Sequence, residues 1–302
     1  MPKTGEWQLP DSFSRKVETA FDKFGQLCVG IDPHTELLEE AGLLDSADGL
    51  RTFSMQLLDQ LEGVVGIIKP QVAFFERFGS AGFAVLEEVC SEASRRGLLV
   101  IADAKRGDIG STMSAYAEAW LGKASPFVVD ALTVSPYLGT GALSTAIALA
   151  SERGKGLFVL CATSNAEGKD LQQAVSGGTT VAANVASELA SLNKISAQGK
   201  TRFGTAGLVV GATVNLKDYG IEDLNKTEDY KSLILAPGFG AQGASLSAAK
   251  TIFGTNAENV IYTVSRSALR NGLDQVRQSI TADKNELCLL YTSPSPRDRT
   301  RS

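Results

Sequence analysis

The chain has little of what a histidine-based or cysteine-based site would need. It carries one histidine, His34, among 302 residues. A single imidazole excludes an HExxH site and any multi-histidine metal centre, and it leaves any Ser or Cys nucleophile one candidate base. The four cysteines, Cys28, Cys90, Cys161 and Cys288, lie far apart and form no CxxC pair. They read as small core residues of a reducing compartment rather than disulfides or zinc ligands. Excess positive charge is also missing: 29 Lys and Arg face 34 Asp and Glu, a net charge of −5. No basic field therefore favours nucleic acid or a membrane surface. No apolar run reaches the roughly 18 residues of a transmembrane helix. The opening MPKTGEWQLPDS lacks the basic-then-apolar order of a signal peptide, so a cytoplasmic location is expected. With 43% hydrophobic and 21% charged residues and only 9 prolines, the composition is that of an ordinary globular protein, not of a disordered, collagenous or coiled-coil one. Chemistry must rest mainly on Lys, Arg, Asp, polar side chains and backbone.

What is present is a recurrence of short, apolar, β-branched segments. Strands are predicted near Leu27–Ile31, Val64–Lys69, Leu98–Asp103, Val128–Val134, Leu157–Ala162, Gly207–Ala212, Ser232–Ala236 and Val260–Val264. They run almost continuously apolar, as parallel strands covered on both faces do. Amphipathic stretches lie between them, at Gly82–Arg96, Thr112–Leu121, Ala142–Ala150, Val181–Leu192 and Ser267–Ile280. Eight alternating units without a linker predict one (β/α)8 barrel over residues 1–284, preceded by an extra helix at Phe13–Phe24. A doubly wound sheet is the alternative fold. After Ile280 the alternation stops, and Asn285–Ser302 reads as a disordered or non-native Ser/Pro/Arg tail.

Barrel chemistry collects at the C-terminal ends of the strands. The first strand ends in Asp32-Pro33-His34, the second in Lys69-Pro70-Gln71 and the third in Asp103-Ala104-Lys105-Arg106-Gly107-Asp108. Asp103 and Lys105 are two apart, so an extended backbone points both the same way, toward the mouth that Lys69 would also face. Such residues can form surface ion pairs worth roughly 0–1 kcal/mol each. Their place at a strand end, beside Asp32 and Lys69, favours a functional array instead.

Gly238-Phe-Gly240-Ala-Gln242-Gly243 fits GxGxxG but follows the seventh strand, whereas a dinucleotide fingerprint belongs in the first βα turn. Barrels often bind phosphate with the loops after strands seven and eight, and Arg266 falls on the second of these. A monophosphate-bearing substrate is expected; a structural turn with a surface arginine is the other reading. Thr163, Ser164 and Asn165 could contact a polar ring, although Ser, Thr and Asn after a strand commonly cap the next helix. His34 reads as a polar loop residue.

Together these residues resemble the orotidine 5′-phosphate decarboxylases, cofactor-free barrel enzymes that make uridine monophosphate. The match comprises Asp32, Lys69 in IKPQ, Asp103-x-Lys105-x-x-Asp108-Ile109-x-x-Thr112, Gly240-Ala-Gln242-Gly243 and Ser265-Arg266-Ser267. FFERFG at Phe74–Gly79 and the chain length resemble the longer bacterial subgroup. The resemblance implies that Lys105 protonates C6 of the pyrimidine, beside Asp103 and Asp108, with Lys69 holding the array. It also implies that Asp32 binds a ribose hydroxyl, that Ser164 contacts the pyrimidine, and that Gly240, Gln242, Gly243 and Arg266 bind phosphate. Asp108 and Thr112 would cross a homodimer interface into the partner's site. No cofactor and no metal are implied. The rival expectations are a sugar-phosphate lyase or aldolase of the same superfamily and a non-catalytic barrel that binds a phosphate ligand.

Overall fold

The apolar runs become eight parallel strands that close on themselves: β1 Leu27–Ile31, β2 Ile67–Pro70, β3 Leu99–Arg106, β4 Ala131–Val134, β5 Gly156–Ala162, β6 Ala206–Val210, β7 Ile234–Ala236 and β8 Val260–Val264. The computed structural model describes residues 12–196, 201–224, 231–240 and 243–292. Strand β8 pairs back onto β1, with Leu27 opposite Tyr262, and so completes the barrel. The (β/α)8 expectation holds, with every strand within a few residues of its predicted place.

Side-chain alternation divides the core in two. Leu27, Val29 and Ile31 of β1 face the surrounding helices, whereas Cys28 joins an inner cluster. That cluster takes one residue from each strand: Cys28, Ile67, Ile101, Ala131, Phe158, Val209, Leu235 and Ile261. Helix α1 (Phe13–Phe24) adds Phe13, Val17 and Ala20 to the same cluster, and Phe13 meets Phe158 edge-on at 6.0 Å. The predicted extra helix thus plugs the N-terminal end of the barrel. Two positions farther along several strands the inward residue turns polar: Lys69, Asp103, Thr133 and Thr263 are all buried there. The apolar floor fixes the geometry on which this polar layer stands.

The outer layer comprises α2 (Thr35–Glu40), α3 (Ala47–Leu61), α4 (Val72–Glu76), α5 (Gly79–Arg95), α6 (Gly110–Leu121), α7 (Ser144–Glu152), α8 (Lys169–Gln172), α9 (Val181–Ser196), α10 (Ala249–Phe253) and α11 (Val276–Thr292). Two expectations need correction. Ser267–Ile280 is not one helix: a 3-10 turn at Arg266–Leu269 ends near Gly272, whose φ of +89° breaks the run, and α11 starts only at Val276. Nor does order stop at Asn285. Helix α11 continues to Thr292, Leu287 is buried, and Glu286 accepts hydrogen bonds from Ser247 N–H (2.6 Å) and Ser245 Oγ (3.0 Å). The remainder of the expected tail, residues 293–302, lies outside the described residues.

Cys28, Cys90 and Cys161 are free and buried, and burial pushes each thiol up to about 12, as befits unreactive core residues. Among the described residues no helix is long and apolar enough to cross a membrane.

Candidate active site

Strand β3 supplies the centre of the site. Asp103 is buried, and its two carboxylate oxygens face different cations: Oδ2 accepts from Lys69 Nζ at 2.9 Å and Oδ1 from Lys105 Nζ at 2.6 Å. The side chains of Lys69, Asp103 and Lys105 are 6%, 11% and 44% exposed, so the array runs from the barrel interior out to its mouth. A third donor, Thr133 Oγ1 on β4, bonds Asp103 Oδ1 at 2.8 Å. Burial alone would push the Asp103 carboxyl up, but the charges of Lys69 and Lys105 outweigh it and hold the group well below the usual carboxylate range. For Lys69, burial disfavours the ammonium, and the Asp103 and Asp32 carboxylates overcome that and raise the group above an ordinary lysine. The buried Lys69–Asp103 pair is therefore charged at neutral pH.

Lys105 sits on strained backbone. Its φ is +50°, the single positive value outside glycine among the described residues, and the β3–β4 ladder shifts register between Ala102 and Arg106. This bulge lifts the Lys105 side chain to the rim while Asp103 stays inside.

Asp32, at the end of β1, receives a 2.6 Å hydrogen bond from Ser265 Oγ across the β1–β8 seam. Asp32, Lys69, Thr263, Ser265, Gly238 and Arg266 line one open cleft of about 750 Å³. Asp32 Oδ1 is buried with no protein partner, and an unpaired group of this kind is poised to grip a polar ligand. Arg266 is exposed on the cleft wall, while the neighbouring Arg270 is held bidentately by Asp283 at 2.8 and 3.2 Å and itself donates to Ser267 O. Arg270 thus braces the loop from which Arg266 projects. His34 also lines the cleft, with Nδ1 2.7 Å from Glu36 Oε2.

The glycine loop after β7 is folded on itself. Gly240 N–H donates to Ala244 O (2.8 Å) and Gly243 N–H to Gly240 O (2.9 Å), so two of the amides expected to greet an anion are already paired. Gly240 has φ +75°, and a Cβ there would come within 2.3 Å of Ser267 Cβ, which explains why only glycine fits against the β8 loop. Gly243 has φ +100°. Gln242 lies outside the described residues. At the end of β5, Thr163 is clamped to Gln172 of α8 by two hydrogen bonds, at 2.9 and 2.8 Å, and Ser164 is exposed beside Gly211.

Two expected residues are not brought to the centre. Among the described residues Asp108 forms no ion pair with Lys105; its Oδ1 accepts from Ile109 N–H at 2.8 Å. Thr112 is exposed on the first turn of α6. Sequence reasoning missed Thr133, although an inward-pointing threonine at the polar level of β4 carried a readable signal in the alternation Ala131, Thr133.

Fold and site together define a (β/α)8-barrel protein with a lysine–carboxylate array and an arginine-walled cleft at the C-terminal strand ends. Residues 25–278 match the family described as orotidine 5′-phosphate decarboxylase / HUMPS. A Streptomyces coelicolor protein named orotidine 5′-phosphate decarboxylase is 48% identical over 275 residues, 91% of this chain and 95% of its own. A Corynebacterium glutamicum protein of the same name is 45% identical, again covering 91% of this chain and 96% of the relative. Among solved structures, the Leishmania donovani OMP decarboxylase superposes with a TM-score of 0.74 at 28% identity, over 93% of this chain and all of that one. A Streptomyces avermitilis crystal structure superposes with a TM-score of 0.87 at 46% identity, over 96% of this chain and 100% of that one. The chain belongs to the orotidine 5′-phosphate decarboxylase / HUMPS family.

Proposed function

We propose that this chain decarboxylates orotidine 5′-phosphate to uridine 5′-monophosphate and carbon dioxide, as a step of pyrimidine nucleotide synthesis, with no cofactor. The observation that carries the reading is the Lys69–Asp103–Lys105 array, a fixed cation held by a buried carboxylate at the barrel mouth. Its support is the match over most of the chain to proteins named for that activity.

The C6–carboxylate bond breaks heterolytically, carbon dioxide departs, and the electron pair stays in the ring plane, where the π system cannot delocalise it. The developing charge must be met by a cation already in place, and Lys105 Nζ is that cation. It then gives its proton to C6 and recovers one from solvent. Asp103 holds the ammonium so that little reorganises during reaction, and Lys69 keeps Asp103 ionised. Asp32 takes a ribose hydroxyl, and Arg266 with Gly240, Gln242 and Gly243 takes the phosphate. For the phosphate to use the Gly240 amide, the internal Gly240–Ala244 pairing must open, so that contact is coupled to loop rearrangement. Ser164 contacts the pyrimidine.

Asp108 and Thr112 complete the site of a second subunit in a homodimer. The exposure of Thr112 supports this, as do the exposed apolar side chains of Ile109, Tyr137 and Leu138 on adjacent loops. A lysine that formed a Schiff base would need to lose its proton readily, and Lys69 is shifted the other way. The aldolase reading is correspondingly weaker.

The test is turnover of orotidine 5′-phosphate followed by absorbance, with and without EDTA. Stoichiometric uridine monophosphate and carbon dioxide, unaffected by the chelator, are expected. Absence of turnover, or borohydride trapping of a keto-sugar phosphate on Lys69 or Lys105, refutes the reading.

A further inference from the structure

The bulge that carries Lys105 has one residue opposite it. Ladder partners pass from Ala102–Leu132 to Arg106–Val134, so Asp103, Ala104 and Lys105 on β3 face Thr133 alone on β4. Three backbone units cannot all find ladder partners across a single residue. The Lys105 amide finds its partner in a side chain instead: it donates to Thr133 Oγ1 at 2.9 Å. The same oxygen donates its hydrogen to Asp103 Oδ1 at 2.8 Å. One buried hydroxyl thus holds both the backbone of the proton donor and the carboxylate that grips the donor's Nζ.

The other anchors of the bulge hold the neighbours of Lys105: Arg106 Nη1 donates to Ala104 O at 3.2 Å. Ser135 N–H donates to Arg106 O at 2.8 Å. The Arg106 guanidinium pairs with Glu76 and lies 5.9 Å from the ring centroids of Tyr116 and Trp120. These contacts fix Arg106 and leave Lys105 to Thr133. A hydroxyl has one hydrogen, and here it goes to a carboxylate; that arrangement requires Asp103 to be ionised, which Lys69 and Lys105 ensure. Thr133 is 1% exposed and both partners of its hydroxyl are protein groups, so it acts on the chemistry through Lys105 and Asp103.

Building on the decarboxylase reading, we propose that Thr133 is a positioning residue for it. Its hydroxyl holds Lys105 in the left-handed conformation and turns Asp103 toward it, so that the ammonium is fixed at the rim before substrate arrives. Without the hydroxyl, Lys105 N–H and one Asp103 lone pair lose their partner, and the bulge is free to relax toward ordinary strand geometry.

Thr133→Val keeps the shape and removes the hydroxyl, Thr133→Ala removes it with no possibility of a clash, and Thr133→Ser retains it. The expected result is a fall in kcat of roughly ten- to hundredfold in the Val and Ala variants. KM and the Kd for uridine monophosphate should stay within about twofold, and Thr133→Ser should stay within about threefold of wild type in kcat. A purely structural threonine would lower Tm while leaving kcat per folded site unchanged, and that result overturns the proposal. So does a serine variant as slow as the valine one. Hydrogen exchange at the Lys105 amide gives a readout independent of turnover, with faster exchange expected in Val and Ala but not in Ser. If wild type fails to turn over orotidine 5′-phosphate, the decarboxylase reading falls, whereas unchanged amide exchange would refute the role of Thr133 itself. Should the Val and Ala variants both fail to fold, a serine variant with fast Lys105 exchange or slow turnover would still overturn it.

Discussion

Replacing Asp103 by asparagine removes the anion that two ammonium groups share, and the structure says which of the two suffers. Lys105 is nearly half exposed and can return to water. Lys69 cannot: its side chain is 6% exposed, its other hydrogen-bonding oxygen is Gln71 Oε1 at a long 3.5 Å, and Asp32 acts on it by charge alone, without a hydrogen bond. Leaving a buried charge unpaired costs about 3–5 kcal/mol, which for a protein of this size means a fall in Tm on the order of 10 °C. The converse deletion, Lys69→Met, should cost less, because Asp103 keeps Lys105 at 2.6 Å and Thr133 at 2.8 Å. The double variant Lys69→Met/Asp103→Leu replaces the pair by apolar side chains and should recover about 2 kcal/mol relative to Asp103→Asn, although it will be inactive. Denaturant unfolding of the four proteins measures this directly. The pH dependence follows from the same pair. Asp103 is depressed in the folded state, so its contribution is present at neutral pH and is lost as pH falls through and below the ordinary carboxylate range near 4. Lys69 is raised, so its share persists up to the unfolded lysine value near 10.4 and is lost above it. An Asp103→Asn protein within about 0.5 kcal/mol of wild type at pH 7, or a double variant no more stable than that single one, refutes the claim that the array is an electrostatically coupled buried unit.

Arg266→Ala should mainly raise KM for orotidine 5′-phosphate, with a smaller loss in kcat, and steady-state kinetics separate the two. Gly240→Ala should behave likewise but more severely, because the added methyl meets Ser267 and the residue is held at φ +75°; a crystal structure or kinetics showing a tolerated alanine would contradict the packing argument. Mixing inactive Lys105→Ala and Asp108→Ala subunits should restore activity through heterodimers that contain one intact site. No recovery, despite subunit exchange demonstrated by mass spectrometry, would remove Asp108 from the partner's site.

Much of this was legible in the chain itself, for identifiable reasons. Parallel strands buried on both faces are continuous apolar runs, so all eight could be read off, and the sharp polarity change at their C-terminal ends marked Asp32, Lys69, Asp103 and Lys105. The chain hid whatever depends on backbone detail. The break at Gly272 was lost inside a run with helical periodicity, because a single glycine is compatible with a helix until its φ is known. The helix through Asn285 was obscured by the polar tail beyond it, though Leu287 is buried. The bulge at Lys105 and the self-paired amides at Gly240 follow from register and loop closure, which residue types alone do not fix.

On the proposed mechanism the Lys105 ammonium protonates C6, so by microscopic reversibility its neutral amine is the base that removes that proton from bound product. Incubating uridine 5′-monophosphate with the enzyme in heavy water and following the C6 hydrogen by proton NMR therefore isolates the Lys105 step from carboxylate loss. Wild type should wash the C6 hydrogen out, and Lys105→Ala, saturated with the same product, should leave it in place. Undiminished exchange in Lys105→Ala would mean that another group carries the proton.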